Sequence, residues 1–397
     1  MDGIHSDWGH RIEMGEFLMK DETTIHHASN QSNNQTSNQS SNQSSNQSSN
    51  QISTSESDHP DMLSDKKEGS RQVKPLATFQ IITDTHVTEE PQHIHNLHLE
   101  RALTDLLSFS EGSSGIMHIG DVTDHGRIGE YRELHRILES YRTLLPPIRY
   151  TLGNHDVGIG LVDEPPAHLL SMSSQEIHAW VQEAMVKSAE APMQEEKLGD
   201  FWEQRLGMFL EATDSQAPYH DHWIDGYHFI FLGTEQPHPK DCEMSSTQLQ
   251  WLETKLAEKA APNRPIFVFL HQPLLNTVAG SIEEQGWYGV KQDTELKAVL
   301  NHYPQAMLFT GHTHWTLDNE RTRYGDGQQR PSMFNASSVA YLWTDEDEYL
   351  EGSQGLHVEI YEDRVIVRGR DFVQGCWLEG VEYTVNYPVS QEVESSL

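Results

Sequence analysis

Ile116-Met117-His118-Ile119-Gly120-Asp121-Val122-Thr123-Asp124 decides how this chain is read. A short β-prone run stops at a glycine, and two aspartates spaced by two residues follow at once. Strand ends of this kind are where α/β sheets bind their ligands. The arrangement recurs along the chain. Leu76–Thr83 precedes Asp84-Thr85-His86, and Ile148–Leu152 precedes Gly153-Asn154-His155-Asp156. Pro265–Leu270 precedes His271, and Ala306–Thr310 precedes Gly311-His312-Thr313-His314. Each run has the length and the β-branched, apolar content of a buried strand, as does Tyr227–Leu232.

Helical patterns lie between these strands. Residues 130–145 carry Tyr131, Leu134, Leu138, Tyr141 and Leu145 on one face. A second helix is predicted from Ser245 and Ser246, which suit N-caps, through Leu249, Leu252 and Leu256. Alternation of strand and helix argues for an α/β domain. Five loops at five strand ends then converge on one pocket, although they span positions 84 to 314.

Those loops supply two carboxylates (Asp84 and Asp121), one amide (Asn154) and four imidazoles (His86, His271, His312 and His314). The set suits two metal ions sharing one carboxylate, a centre that attacks phosphate esters with water. Two divalent ions bring four positive charges, against three negative charges from two aspartates and a hydroxide. Such a pocket stays positive and accepts a phosphate oxygen.

The ordered pattern D-x-H, G-D-x-x-D, G-N-H-D, a lone His and G-H-x-H resembles the calcineurin-like metallophosphoesterases over roughly residues 76–370. Within them, Gly120–Gly126, Glu130-Tyr131-Arg132 and Gly153–Asp156 look most like the bacterial cyclic-nucleotide phosphodiesterases. The resemblance implies a four-layer α/β/β/α sandwich with a dinuclear site at the carboxyl ends of the strands. It implies that Asp84, His86 and His314 bind a first metal, Asn154, His271 and His312 a second, and that Asp121 bridges them. Mn, Fe and Zn all suit such ligands. A bridging hydroxide is expected to attack phosphorus, with His155 as general acid and the Asp124 carboxylate orienting it and raising its pKa. Asp156 is read as an acceptor that stabilises the loop. Where protein phosphatases of the family have a phosphate-gripping arginine, this chain has His125. An imidazole cannot reproduce the guanidinium fork, and this favours a phosphodiester over a phosphoprotein.

The remaining sequence bounds the function. The chain has 397 residues, 27 Lys plus Arg against 61 Asp plus Glu, and a formal net charge of −34. That balance disfavours nucleic acid and anionic lipid as partners and leaves a small phosphate ester as substrate. Two cysteines, Cys242 and Cys376, build no disulfide framework and are expected as free thiols in a reducing cytosol. No signal peptide or membrane-spanning run is read, so a cytoplasmic protein is expected.

Residues 29–51 contain only Ser, Asn, Gln and Thr, and residues 1–72 are expected to form a disordered tail. The catalytic domain is expected over 73–385 and a polar, frayed end over 386–397. Within the domain, 157–225 reads as an insert of two amphipathic helices. The first opens on a capping box, Ser173-x-x-Glu176, and puts Ile177, Trp180, Val181, Ala184 and Met185 on one face. The second repeats the pattern with Leu198, Phe201, Trp202, Leu206 and Phe209. Both are expected to pack on the domain and wall the pocket.

Leu356–Tyr361 and Arg364–Arg368 form a hairpin expected to finish a second sheet. Tyr219-His220-Asp221-His222 is read as an insert edge lining the pocket, Trp287-Tyr288 as packing or a base-stacking pair, and Trp315 as a wall or packing aromatic. The rival functions are a phosphomonoesterase of small metabolites and a non-catalytic, metal-stabilised binding module.

Overall fold

The computed structural model describes residues 74–161, 172–190, 193, 195–346 and 348–389. The expected tail over 1–72 lies outside them.

Two six-stranded sheets and a small two-stranded one, β10 (Leu342–Trp343) antiparallel to β11 (Tyr349–Leu350), make up the domain. In the first, β1 (Ala77–Ile82), β2 (Ile116–Ile119) and β3 (Ile148–Thr151) run parallel. In the second, β4 (His220–Ile224) pairs antiparallel to β5 (Tyr227–Phe231). Then β5, β6 (Ile266–Phe269), β7 (Ala306–Thr310) and β9 (Ser332–Asn335) run parallel, and β8 (Arg323–Tyr324) closes the edge.

Period-two alternation makes the layers. Phe79, Ile81, Met117 and Ile119 of the first sheet meet Phe229, Phe231, Phe267, Phe269, Phe309 and Phe334 of the second in one buried core. Phe79 stands edge-on to Phe267 with ring centroids 4.8 Å apart, a favoured aromatic geometry. The opposite faces also carry apolar residues. Ile82, Ile116 and Tyr150 pack under α1 (Ile94–Leu106), α2 (Ile128–Glu139) and the insert helix α5 (Glu195–Thr213). Ile230, Val268 and Leu308 pack under α6 (Ser246–Ala257) and α7 (Asp293–Asn301). The result is an α/β/β/α sandwich, and strands buried on both faces explain why the sequence shows continuous apolar runs.

Local signals hold where side chains cap the backbone. Ser245 accepts from Gln248 N–H at the start of α6. Ser173 and Glu176 form the reciprocal box that opens α4 (Ser174–Glu190), with Ser173 N–H donating to Glu176 at 2.8 Å.

Three expectations change. The helix expected over 130–145 ends at Glu139, and Tyr141 and Leu145 follow in turns packed on the same core. The hairpin β12 (Gln354–Ile360) and β13 (Arg364–Asp371) turns at Glu362-Asp363 as expected, yet it extends the first sheet. Its strand β12 lies antiparallel to β1, which sets Leu356 opposite Ile81 and Val358 opposite Phe79 and carries both into the central core. A third strand, β14 (Cys376–Asn386), follows on β13. The fraying expected from residue 386 does not occur over Asn386–Val389. Tyr387 and Val389 are buried in the core, and Val389 N–H donates to Pro262 O at 2.9 Å.

Among the described residues no helix is long and apolar enough to cross a membrane. Cys242 is buried, Cys376 is exposed, and both are free thiols.

Candidate metal centre

The carboxyl ends of β1, β2, β3, β6 and β7 lie together, and each feeds a loop into one site. Backbone hydrogen bonds lace these loops: Asp84 N–H to Gly120 O at 3.0 Å, His86 N–H to Asp121 O at 3.1 Å, and Gly311 N–H to His271 O at 2.9 Å. The turns are sharp. Asp84, His86, Asp121, His312 and His314 all have φ between 41° and 70°, a region L-residues rarely adopt. Each such residue costs about 1–3 kcal/mol and persists only because its surroundings over-determine it. The motif glycines make the close approach possible. A Cβ on Gly120 would sit 2.8 Å from the His271 ring, and one on Gly153 would enter the Asp121 carboxylate.

Two groups of ligand atoms result: Asp84, His86 and His314 in one, and Asp121, His271 and His312 in the other. All six residues are buried. His314 Nε2 lies 2.9 Å from Asp84 Oδ1, and His271 Nε2 lies 3.1 Å from Asp121 Oδ2. Asp121 Oδ2 is also 3.8 Å from His86 Nε2, so this carboxylate faces both groups. Neighbouring residues fix each donor. Asp84 Oδ2 accepts from Thr83 Oγ1 at 2.6 Å and from His312 N–H at 3.0 Å. Asp121 Oδ1 accepts from His155 N–H at 2.8 Å. His271 Nδ1 sits 2.7 Å from Ile119 O, which leaves Nε2 inward. Asn154 donates its amide N–H to Pro239 O at 2.8 Å, which turns its carbonyl oxygen away from that contact.

Electrostatics agree with a cation site. Burial opposes ionisation of Asp84 and Asp121, yet the neighbouring His314 and His271 outweigh it and hold both carboxyls well below the usual range. Burial lowers the pKa of His312 and His314, whereas at His271 the Asp121 and Asp84 charges outweigh burial and lift the pKa to about 9. The buried His312 Nε2 has no hydrogen-bond partner, and His271 Nε2 meets the Asp121 carboxylate. Ionised carboxylates grouped with buried, inward-facing imidazole nitrogens form a donor set that fits metal ions.

Asp156 behaves as the sequence implied. Its carboxylate accepts from Thr123 N–H, Thr123 Oγ1 and Gly153 N–H at 2.9 to 3.0 Å, tying the Asp121 loop to the start of the short helix α3 (Asn154–Val157). Burial and the Asp121 charge hold its pKa above the usual carboxylate range.

His155 and Asp124 are adjacent but not as expected. His155 Nδ1 lies 2.7 Å from the backbone carbonyl of Asp124 and 4.0 Å from its carboxylate. The carboxylate contacts His86 Nδ1 at 3.2 Å and His125 Nδ1 at 3.0 Å instead. The carbonyl fixes the ring of His155 with its Nδ1–H as donor, and burial lowers its pKa rather than raising it. At His125 burial opposes the charge, but hydrogen bonds to the Asp124 and Glu130 carboxylates outweigh it and lift the pKa to about 9.

Above the ligands lies a cavity of about 240 Å³. Asp121, Asn154, His155, His312 and His314 form part of its lining, with Asp124 and His125 beside them. The insert helix α4 contributes Ile177, Trp180 and Val181, so the first insert helix does wall the pocket. The second, α5, packs on the core of the first sheet, and its Arg205 holds His125 O at 2.9 Å. Trp287 lines the cavity, whereas Trp315 is buried beside Ala279 and Trp343. Tyr219–His222 does not reach the cavity. His220, Asp221 and His222 belong to edge strand β4, where Asp221 pairs with His228 at 2.8 Å and with Lys255 at 3.2 Å.

Sequence reasoning missed His93, His95, Lys240 and Tyr341 in the lining. Lys240 and Tyr341 sit in irregular segments with no periodic signal, and the two histidines belong to the start of a helix that was not read.

The profile of the calcineurin-like phosphoesterases matches residues 77–316. The chain belongs to this family. It is therefore a hydrolase of phosphoric esters with the family's dinuclear type of centre. A search among curated proteins finds no match. Among solved structures, a purple acid phosphatase from yellow lupin (Lupinus luteus) seeds aligns at 13% identity and a TM-score of 0.51, over 78% of this chain and 53% of that one. A dimetal phosphatase from Danio rerio aligns at 14% identity and a TM-score of 0.48, over 79% of this chain and 100% of that one. At such identities the likeness concerns the fold.

Proposed function

We propose that this phosphoesterase hydrolyses phosphodiesters. Asp84, His86 and His314 would hold one divalent ion, Asn154, His271 and His312 a second, and Asp121 both. Mn, Fe and Zn are the candidates. When bound, the pair supplies Lewis acidity toward a phosphoryl oxygen and an acidified water as nucleophile. The chain's own residues do the rest. Thr83, Ile119, Pro239 and the His155 N–H orient the donors, and the φ > 0 turns keep them in place. His155, held by the Asp124 carbonyl, protonates the leaving alkoxide from Nε2 once its ring carries a second proton. The Asp124 carboxylate is assigned here to orienting His86.

The observation that carries the reading is the grouping of two buried imidazole nitrogens, His271 Nε2 and the partnerless His312 Nε2, on the ionised Asp121, beside the ionised Asp84 with His86 and His314. The preference for a diester rests on the lining. Among the described residues no arginine lines the cavity. Lys240 Nζ is held by Tyr288 O and by Asp241 at 3.1 Å, and the charge of His125 is matched by Asp124 and Glu130. A diester carries one fewer negative charge than a monoester dianion and needs less cationic help. The test compares bis(4-nitrophenyl) phosphate with 4-nitrophenyl phosphate in the presence of Mn²⁺. The diester is expected to have the higher kcat/KM, and Asp121→Asn to abolish turnover of both while the protein stays folded. A faster monoester would favour the phosphomonoesterase reading, and retained activity in Asp121→Asn would remove the bridging role.

A further inference from the structure

The cavity has two unlike sides. One is built of ligand imidazoles and carboxylates. The other is apolar and aromatic: Ile177, Trp180 and Val181 from α4, then Trp287, Tyr341 and Trp343. Most of that second side belongs to a small hydrophobic cluster of its own, separate from the three cores that hold the sheets and helices together. Ala279, Trp315 and Trp343 are its buried centre, and Ile177, Trp287 and Tyr341 are only partly buried against it. A cluster of this kind adds little to the sandwich and leaves large apolar faces on a cavity.

These aromatics flank the ligands directly. The Trp287 ring lies 5.8 Å from that of His312, and the Tyr341 ring 4.3 Å from that of His314. Two indole donors of the cluster, Trp287 Nε1 and Trp315 Nε1, are buried with no hydrogen-bond partner, and of the two residues Trp287 lines the cavity. A buried indole N–H normally finds one.

We propose that this wall is a subsite for a single flat, uncharged ring esterified to the phosphoryl group, with Trp180, Trp287 and Tyr341 as specificity-determining residues. The inference rests on the phosphoester reading above. Size supports it. A cavity of about 150 Å³ takes up benzene, so 240 Å³ admits one ring beside a phosphoryl group. Composition supports it too, because apolar walls with one convergent donor are how proteins hold flat organic groups. Trp287 Nε1–H then meets a polar substituent on the ring edge.

Calorimetric titration of the Mn²⁺-loaded full chain with phenylphosphonate and methylphosphonate separates the ring from the headgroup, since the two acids share the same anion. Phenylphosphonate is expected to bind about tenfold tighter or more, from ring burial and aromatic contact. Trp180→Ala and Trp287→Ala are expected to cut that ratio to about threefold or less while methylphosphonate binding stays within about twofold. Trp287→Phe, which keeps a ring, is expected to retain most of the preference and guards against misfolding of the alanine variant. Equal affinity of the two phosphonates, or an unchanged ratio in both alanine variants, would overturn the subsite and leave the phosphoester reading standing. Failure of both phosphonates to bind would overturn that reading, and the subsite with it.

Discussion

Asp124→Asn separates two roles that a single aspartate could play beside His155. The carboxylate is 3.2 Å from His86 Nδ1 and 4.0 Å from His155 Nδ1, whereas the backbone carbonyl of Asp124 is 2.7 Å from His155. An amide keeps the backbone contact untouched. It removes the charge that holds His86 with Nε2 toward the ligand group, and it can present an N–H where His86 needs an acceptor. Loss of such an orienting partner typically costs about 10–100-fold in metal affinity, or roughly 1.4–2.7 kcal/mol. Asp124→Asn is therefore expected to weaken Mn²⁺ binding by about that factor, read by metal titration. At saturating metal it is expected to recover most of its turnover, with an unchanged dependence of rate on leaving-group pKa. Unchanged metal affinity together with a steeper leaving-group dependence would refute the assignment and restore a carboxylate–imidazole acid.

Two further outcomes follow from the same geometry. His155→Ala is expected to keep bound metal and lose most turnover, by about 10²–10⁴-fold, with the larger loss on diesters of poor leaving groups. A series of aryl and alkyl esters checks it. His125 has its pKa raised from 6.5 to about 9, so the stability it contributes is complete below about pH 6.5 and lost as pH rises through about 9. Discounted for partial exposure, that contribution is about 1 kcal/mol. The Tm difference between wild type and His125→Gln should therefore be widest near pH 6 and closed by about pH 10 in thermal melts.

Much of this site could be read from residues alone because its chemistry is tied to strand ends. Asp84, Asp121, Asn154, His271 and His312 each follow a run of apolar residues, and strands buried on both faces leave that run in the sequence. The hairpin at Glu362-Asp363 was equally legible, but the sheet it joins was not. Pairing of β12 with β1 is a contact between positions 356 and 81, and nothing local encodes it. The pairing of His155 with a carbonyl failed to show for a related reason. Side-chain identity says that Asp124 is near, while only the backbone path decides which of its oxygens is nearer. Lys240 and Tyr341 reach the cavity from irregular segments, where periodicity carries no information. The strand β14 was missed because most of its residues are polar or exposed, as befits the edge of a sheet.

The number of divalent ions bound per chain at saturation tests the account most directly. Equilibrium dialysis of the full chain against Mn²⁺, followed by elemental analysis, is expected to give two. Asp121→Asn, which loses the carboxylate facing both ligand groups, is expected to give one or none. A wild-type chain that hydrolyses a phosphodiester with a single bound ion, or with two still bound in Asp121→Asn, would contradict the account.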